Sequence, residues 1–349
     1  MSATQLPETM DAILFKHPYK VAVEQVPTPK LQTEGDVIIK VHLAGLCGSD
    51  LHLYRAKEDA GKDYTMGHEV VGTIVQKGKE VNNFNVGDVV AVPFTISCAS
   101  HTARCTSSAL FGTPSLPGCQ ASYVRVPLAA SCLLLKPPQL PEELMLLMAD
   151  ILPTGYSAAW NAWRLLDWGG ERGGKGERRG ICVVVGCGPV GLCAITSAQT
   201  LFSKVFAVDP TPARRELAIK HGATALAPGE LQSAIMAATE GRGADAVLEV
   251  VGNQGALDTA LSIVRPYGAV SSVGVHAGEL NIDGGSLYDK KVWAADREIG
   301  ETREKKVLMH NQELFKSFIE YKVGFSQAEE YYTLFEQGKI SKTVFLPGQ

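Results

Sequence analysis

Apolar and polar residues alternate between positions 11 and 45, and Pro27, Pro29 and Gly35 punctuate the run, a pattern of short strands and turns. Val37-Ile38-Ile39-Lys40-Val41-His42-Leu43 predicts a strand that delivers Cys47 to a loop. His42 on that strand reads as a packed or hydrogen-bonded core histidine, not a ligand. Val71 to Val75 and Asp88 to Phe94 continue the β character. Leu144 to Arg164 has helical spacing, interrupted at Asp150-Ile151-Leu152-Pro153-Thr154-Gly155-Tyr156. Residues 168 to 180 are glycine-rich, charged and without period, and read as a flexible surface loop.

From Ile181 the pattern changes to alternating strands and helices. Ile181 to Val185 is a buried strand, followed by Gly186-Cys187-Gly188-Pro189-Val190-Gly191 and a helix through Leu201. Lys204 to Asp209 is a second strand, and Pro212 to His221 a helix closed by Gly222. Asp245 to Val251 and Gly268 to Val275 are further strands, with a helix from Gly255 to Val264 between them. The fold class expected is α/β, with a doubly wound parallel sheet behind a mostly-β first half.

The composition narrows the functional classes. A chain of 349 residues has room for two domains, and its 45% apolar and 20% charged residues describe an ordinary soluble protein. A net charge of −4 without a basic stripe argues against nucleic acid or an anionic membrane as partner. No uninterrupted apolar run is long enough to span a bilayer, and Met1 to Pro7 has neither the basic nor the apolar region of a signal peptide. The eight cysteines lack a disulfide-scaffold spacing, so a cytoplasmic protein with reduced thiols is expected.

Candidate chemistry begins at Cys47-Gly48-Ser49-Asp50-Leu51-His52, followed by Gly67-His68-Glu69-Val70-Val71-Gly72 and Gly78. A thiolate and an imidazole about twenty residues apart meet at one metal if the chain loops back, and zinc accepts both. The second motif, Gly186-x-Gly188-x-x-Gly191, follows an apolar strand, opens a helix and has Asp209 at a later strand end. Its glycines allow backbone to approach a pyrophosphate whose charge meets the helix N-terminus. Asp209 would accept hydrogen bonds from the adenosine ribose hydroxyls and repel a 2′-phosphate, favouring NAD over NADP. Arg214 and Arg215 follow closely and either soften that preference or simply line an exposed helix face.

The Gly-His-Glu-x-x-Gly-x5-Gly signature resembles that of the zinc-dependent medium-chain dehydrogenase/reductase family, and the resemblance covers nearly the whole chain. It implies a GroES-like catalytic domain at 1–153, a Rossmann domain at 154–296, and a return to the first domain at 297–349 that ends in a strand at Ile340 to Leu346. It also implies reversible hydride transfer between nicotinamide and an alcohol or carbonyl substrate, with one catalytic zinc as Lewis acid. The segment Asp150 to Tyr156 resembles a branch that includes formaldehyde dehydrogenases and bacterial secondary-alcohol dehydrogenases, in which an aspartate is the third ligand. The expected zinc ligands are therefore Cys47, His68 and Asp150, with Glu69 at or just behind the metal.

Asp50 would fix the His68 tautomer, Ser49 would hydrogen-bond the substrate oxygen, and His52 would pass the proton to solvent. The expected cofactor contacts are Gly186, Gly188, Pro189, Val190, Gly191, Asp209 and Arg214, joined by Thr154. The family's four-cysteine structural zinc lobe is matched only by Cys98 and Cys105. His101 could add a third ligand, but closed structural sites need four, so no second zinc is expected. Cys119 reads as a small buried side chain. The resemblance further implies a homo-oligomer, dimer or tetramer. Two other readings stay open: a biosynthetic imine or enoyl reductase on this fold, and a cofactor-binding scaffold without turnover.

Overall fold

The computed structural model describes residues 5–55, 61–98, 105, 108–166, 178–276, 278–282, 284, 293–295 and 301–348. The expected loop at 168–180 falls largely outside these residues, as do His101 and the boundary placed at 296. Two compact units are present. One comprises Met1–Asp150 with Phe315–Gln349, and the other Ile151–Leu314. The return to the first unit comes later than the sequence boundary because the Glu301–His310 helix packs against the Ile151–Leu165 and Pro189–Ala198 helices.

The first unit is mostly β. Its larger sheet runs Leu134–Leu135, Val89–Val92, Val70–Lys77, Val37–Leu46, Thr343–Leu346 and Tyr321–Gly324, and Tyr123–Val126 also pairs with Val37–Leu46. Val37, Ile39, Val41, Ala44, Val70, Ile74, Val90 and Val92 send their side chains into one apolar cluster. That burial fixes the sheet register, because a one-residue slip would turn the apolar set to solvent. Thr343–Leu346 pairs antiparallel with Val37–Leu46, Thr343 opposite Leu46. The last strand thus brings Lys342 beside the end of the strand that precedes Cys47.

Among the described residues the second unit holds a six-stranded sheet in which every neighbouring pair is parallel. Counted along the unit, its strands lie in the order 3-2-1-4-5-6. The order reverses beside the first strand, Ile181–Val185, and ligands of open α/β sheets bind beyond the carboxyl ends of the strands at such a switch. The Thr224–Leu226 strand and the Pro228–Ala238 helix add to the elements expected from the sequence.

The helical segment near Pro153 differs from the sequence expectation. Ile151–Leu165 is one continuous helix, and the break lies at Asp150, whose backbone is non-helical (φ −149°, ψ −67°). Pro153 sits in the first turn, where a missing N–H costs no internal hydrogen bond. Among the described residues no helix is long and apolar enough to cross a membrane.

Candidate metal centre and dinucleotide site

Two antiparallel strands aim the metal candidates at one point. Cys47 follows Val37–Leu46, and His68 and Glu69 precede Val70–Lys77. Gly67 takes the left-handed region (φ +87°), and a Cβ there would meet Gln120 Cγ at 2.4 Å. Gln120 itself is buried. Its Nε2 donates to Gly45 O (2.9 Å), and its Oε1 accepts from Tyr332 Oη (2.7 Å). The turn carrying His68 is therefore braced from three parts of the first unit.

Donor atoms of Cys47, His68, Glu69 and Asp150 all lie within 4.8 Å of one another, and all four residues are buried. Among the described residues this is the one group of three or more His, Cys, Asp or Glu donors that converges. Asp150 Oδ2 is 3.4 Å from His68 Nε2 and 3.8 Å from Cys47 Sγ. Atoms held at about 2.0–2.3 Å from one tetrahedral ion sit roughly 3.3–3.7 Å apart, so these spacings fit a zinc cage. His68 Nε2 and Glu69 Oε1 are buried with no hydrogen bond of ordinary geometry among the described residues. Such atoms are costly in an apolar interior and suit a cation.

Asp50 holds two partners of the cluster. Its Oδ1 lies 3.0 Å from His68 Nδ1, and its Oδ2 accepts from the Cys47 backbone N–H at 2.9 Å. Burial works against a charged His68, but the Asp50 charge, with the Asp150 and Asp50 carboxylates close to the two ring nitrogens, outweighs it and holds the ring well above ordinary imidazole basicity. Burial, reinforced by the Glu69 charge, pushes the Cys47 thiol up. Ser49 and His52 are half-buried on the same turn as Asp50, with Ser49 at the start of the short Asp50–Tyr54 helix.

No local pattern marks Lys342. It is 2% exposed, and its Nζ donates to Glu69 Oε2 and to Leu46 O (3.3 Å). Burial raises the Glu69 carboxyl while the Lys342 charge lowers it, and the Glu69 charge in turn keeps the ammonium protonated against burial. Ser341-Lys342 before a strand looks like a surface pair in the sequence, because its partner lies 273 positions away. His42 lies outside the cluster, with ring nitrogens 2.9 Å from Glu142 Oε2 and 3.1 Å from Thr73 Oγ1. Cys119 is fully buried.

In the second unit, Gly186 has φ +100°, and a Cβ on Gly191 would stand 2.0 Å from Gly186 O. Glycine is required at both positions for this strand-to-helix turn to close. Gly188 caps the Pro189–Ala198 helix with open space where a Cβ would point, and Pro189 and Val190 form its half-buried first turn. Free N–H groups at such an N-terminus suit a phosphate. Asp209 Oδ2 accepts from Cys187 N (2.9 Å) and Oδ1 from Thr211 N (2.8 Å), which orients the carboxylate while each oxygen keeps a second lone pair.

Arg214 is half exposed, with Nη1 3.8 Å from Asp209 Oδ2, and Arg215 Nη1 donates to Asp209 O at 2.7 Å. Thr154 is buried in the first turn of Ile151–Leu165. His276 has Nε2 3.0 Å from Ser272 Oγ and 3.3 Å from the buried Glu249 carboxylate.

Comparison with known proteins agrees with both halves. Residues 33–138 match the alcohol dehydrogenase GroES-like domain family, and residues 189–300 match the zinc-binding dehydrogenase family. A zinc-type alcohol dehydrogenase B of Aspergillus flavus is 41% identical, over 97% of this chain and 82% of that protein. A medium chain reductase/dehydrogenase of Acremonium sp is 45% identical, over 77% of this chain and 95% of the relative. The solved alcohol dehydrogenase of Thermus sp. ATN1 superposes with a TM-score of 0.83 at 31% identity, covering 97% of this chain and 99% of that one. With a buried Cys/His/Glu/Asp cluster in one unit and a Rossmann turn in the other, this chain belongs to the zinc-dependent medium-chain dehydrogenase/reductase family and is a zinc-dependent oxidoreductase of the alcohol dehydrogenase type.

Proposed function

We propose that the protein interconverts a small alcohol and its carbonyl compound with NAD, using one zinc ion held by Cys47, His68 and Asp150. The observation that carries this reading is the spacing of Asp150 Oδ2 from His68 Nε2 and Cys47 Sγ, 3.4 and 3.8 Å. Charge balance favours Asp150 over Glu69 as the third ligand. Lys342 already offsets the Glu69 charge, so the Cys47 thiolate and the Asp150 carboxylate together match a dication. Glu69 Oε1 stays available behind the site.

Zinc supplies Lewis-acid polarisation of the substrate oxygen, and the nicotinamide supplies or accepts the hydride. This chain's residues do the rest. Asp50 Oδ1 accepts from the His68 Nδ1–H, which leaves the Nε2 lone pair for the metal on the side where Asp150 Oδ2 lies. Ser49 Oγ accepts the substrate's hydroxyl proton, and His52 passes it to solvent. Asp209 holds the adenosine ribose and disfavours a 2′-phosphate, with Arg214 close enough to reduce that bias. The glycine turn and the first turn of Pro189–Ala198 receive the pyrophosphate, and Thr154 belongs to the same cofactor site. A homo-oligomer, on family resemblance, and a cytoplasmic location, on the reduced-thiol reading of the cysteines, complete the proposal.

The test is oxidation of a panel of primary and secondary alcohols with NAD+ before and after complete removal of zinc by a chelator. Turnover should stop on removal and return on adding zinc. Undiminished turnover by zinc-free protein would refute the proposal.

A further inference from the structure

A pair of thiols lies outside the four-donor cluster. Cys98 Sγ and Cys105 Sγ are 3.3 Å apart, and the Cys98 N–H is directed at Cys105 Sγ from 3.5 Å. Contraction by about 1 Å from that 3.3 Å separation would reach the covalent S–S length of about 2.05 Å. The fold holds both arms in place. Thr95–Ile96 pairs antiparallel with Ala109–Leu110, Ile96 opposite Ala109. Ser97 is anchored by its N–H to Cys132 Sγ (3.2 Å) and by its carbonyl to Ser131 Oγ (2.5 Å), and Ser108 N–H bonds back to Cys105 O (3.2 Å). Two thiols fall short of the four ligands of a structural zinc cage, and among the described residues only the Cys47 cluster gathers three or more donors.

We propose that Cys98 and Cys105 form a dithiol modification site that exchanges with low-molecular-weight disulfides and closes to an internal disulfide. The Cys98 thiolate attacks one sulfur of a disulfide R–S–S–R. That S–S bond breaks, RS⁻ leaves and is protonated, and Cys98–S–S–R remains. The Cys105 thiolate then attacks the Cys98 sulfur, expelling the second RS⁻ and forming the Cys98–Cys105 bond. Both thiol protons end on the two RSH molecules, and the two electrons lost by the cysteines reduce the reagent.

Exposure sets the order, because Cys98 is partly accessible and Cys105 is buried. It also sets the selectivity. Cys47, Cys119, Cys132, Cys182, Cys187 and Cys193 are all buried. Burial pushes the Cys119 and Cys182 thiols far up and that of Cys187 to about 12, which keeps them from forming thiolate.

The experiment treats the full-length, zinc-loaded protein with oxidised glutathione and follows intact mass and peptide maps. The wild-type chain should lose the mass of two hydrogens, yield a cross-linked Cys98–Cys105 peptide, carry no stable glutathione and recover with dithiothreitol. Cys105→Ser should stop at a single glutathione on Cys98, and Cys98→Ser should take none at Cys105 over the same time. A persistent adduct on wild-type Cys98, or a cross-link between other cysteines, would overturn the proposal. So would protection of Cys98 and Cys105 from alkylation until a chelator strips a second zinc, which would make them a metal cage. The wild-type map decides the matter even if a variant folds poorly.

Discussion

Replacing Lys342 by Met removes one charge and leaves the other in place. Methionine keeps most of the apolar stem, so the packing change is small and the effect is electrostatic. Lys342 and Glu69 are both almost fully buried and bonded to each other, and Lys342 Nζ also caps Leu46 O. Two unit charges about 4 Å apart attract by ~4 kcal/mol at an effective dielectric of about 20. Breaking a buried pair by removing one partner costs about 3–5 kcal/mol, because the remaining charge is stranded. Lys342→Met should therefore lose roughly that much stability, read as a denaturant midpoint shift at fixed free zinc so that metal linkage is equal in every variant.

Glu69→Gln combined with Lys342→Met should lose at least ~2 kcal/mol less than the sum of the single losses, since the stranded charge is gone. The pH dependence has a definite sign. Burial already holds the folded Glu69 carboxyl above the ordinary 4.5 against the Lys342 and His68 charges, and removing Lys342 raises it further. The folded state then binds more protons than the unfolded one, so the Lys342→Met deficit shrinks at acidic pH and grows as pH rises. A loss below ~0.5 kcal/mol, or strict additivity in the double variant, would refute the reasoning.

Two further outcomes follow from the second unit. Asp209→Ala should weaken NAD binding by about 1.5–3 kcal/mol, ~10–150-fold, while affecting NADP less, because charged hydrogen bonds are lost with the repulsion. Titrating both cofactors on one protein checks it, and tighter NADP binding by the unaltered protein would assign the preference to Arg214 or Arg215. Burial lowers the pKa of His221 from 6.5 to about 4, and its Nδ1 lies 2.7 Å from Thr196 Oγ1. The unfolded chain takes up this proton first, so stability present above pH 6.5 is lost as pH falls toward about 4. His221→Gln should flatten that part of the stability–pH curve, and an unchanged slope would contradict it.

Local chemistry was legible in the sequence, and long-range pairing was not. The strand before Cys47, the glycines around His68 and the strand–Gly186-x-Gly188-x-x-Gly191–helix unit announce themselves within a few dozen residues, because each needs particular residue types at fixed spacing. Pro153-Thr154-Gly155 misled as an interruption, since proline breaks helix interiors but is at home in a first turn. Lys342, Gln120 and Tyr332 carry no local signal, because the partners that bury them lie 273, 75 and 212 positions away in the chain. A lone lysine or glutamine carries no mark of such a partner. His276 is equally unmarked, since Glu249 reaches it only through sheet order.

The central claim is that zinc sits on Cys47, His68 and Asp150 with Glu69 neutralised by Lys342. Zinc content per chain, measured on purified wild-type, Asp150→Asn and Glu69→Gln proteins, tests it most directly. Losing an anionic ligand lowers metal affinity, whereas Asn keeps the shape of Asp and its helix-capping capacity. One zinc is expected in the wild type and in Glu69→Gln, with markedly less in Asp150→Asn. Full zinc in Asp150→Asn beside an empty Glu69→Gln would contradict the account and make Glu69 the third ligand.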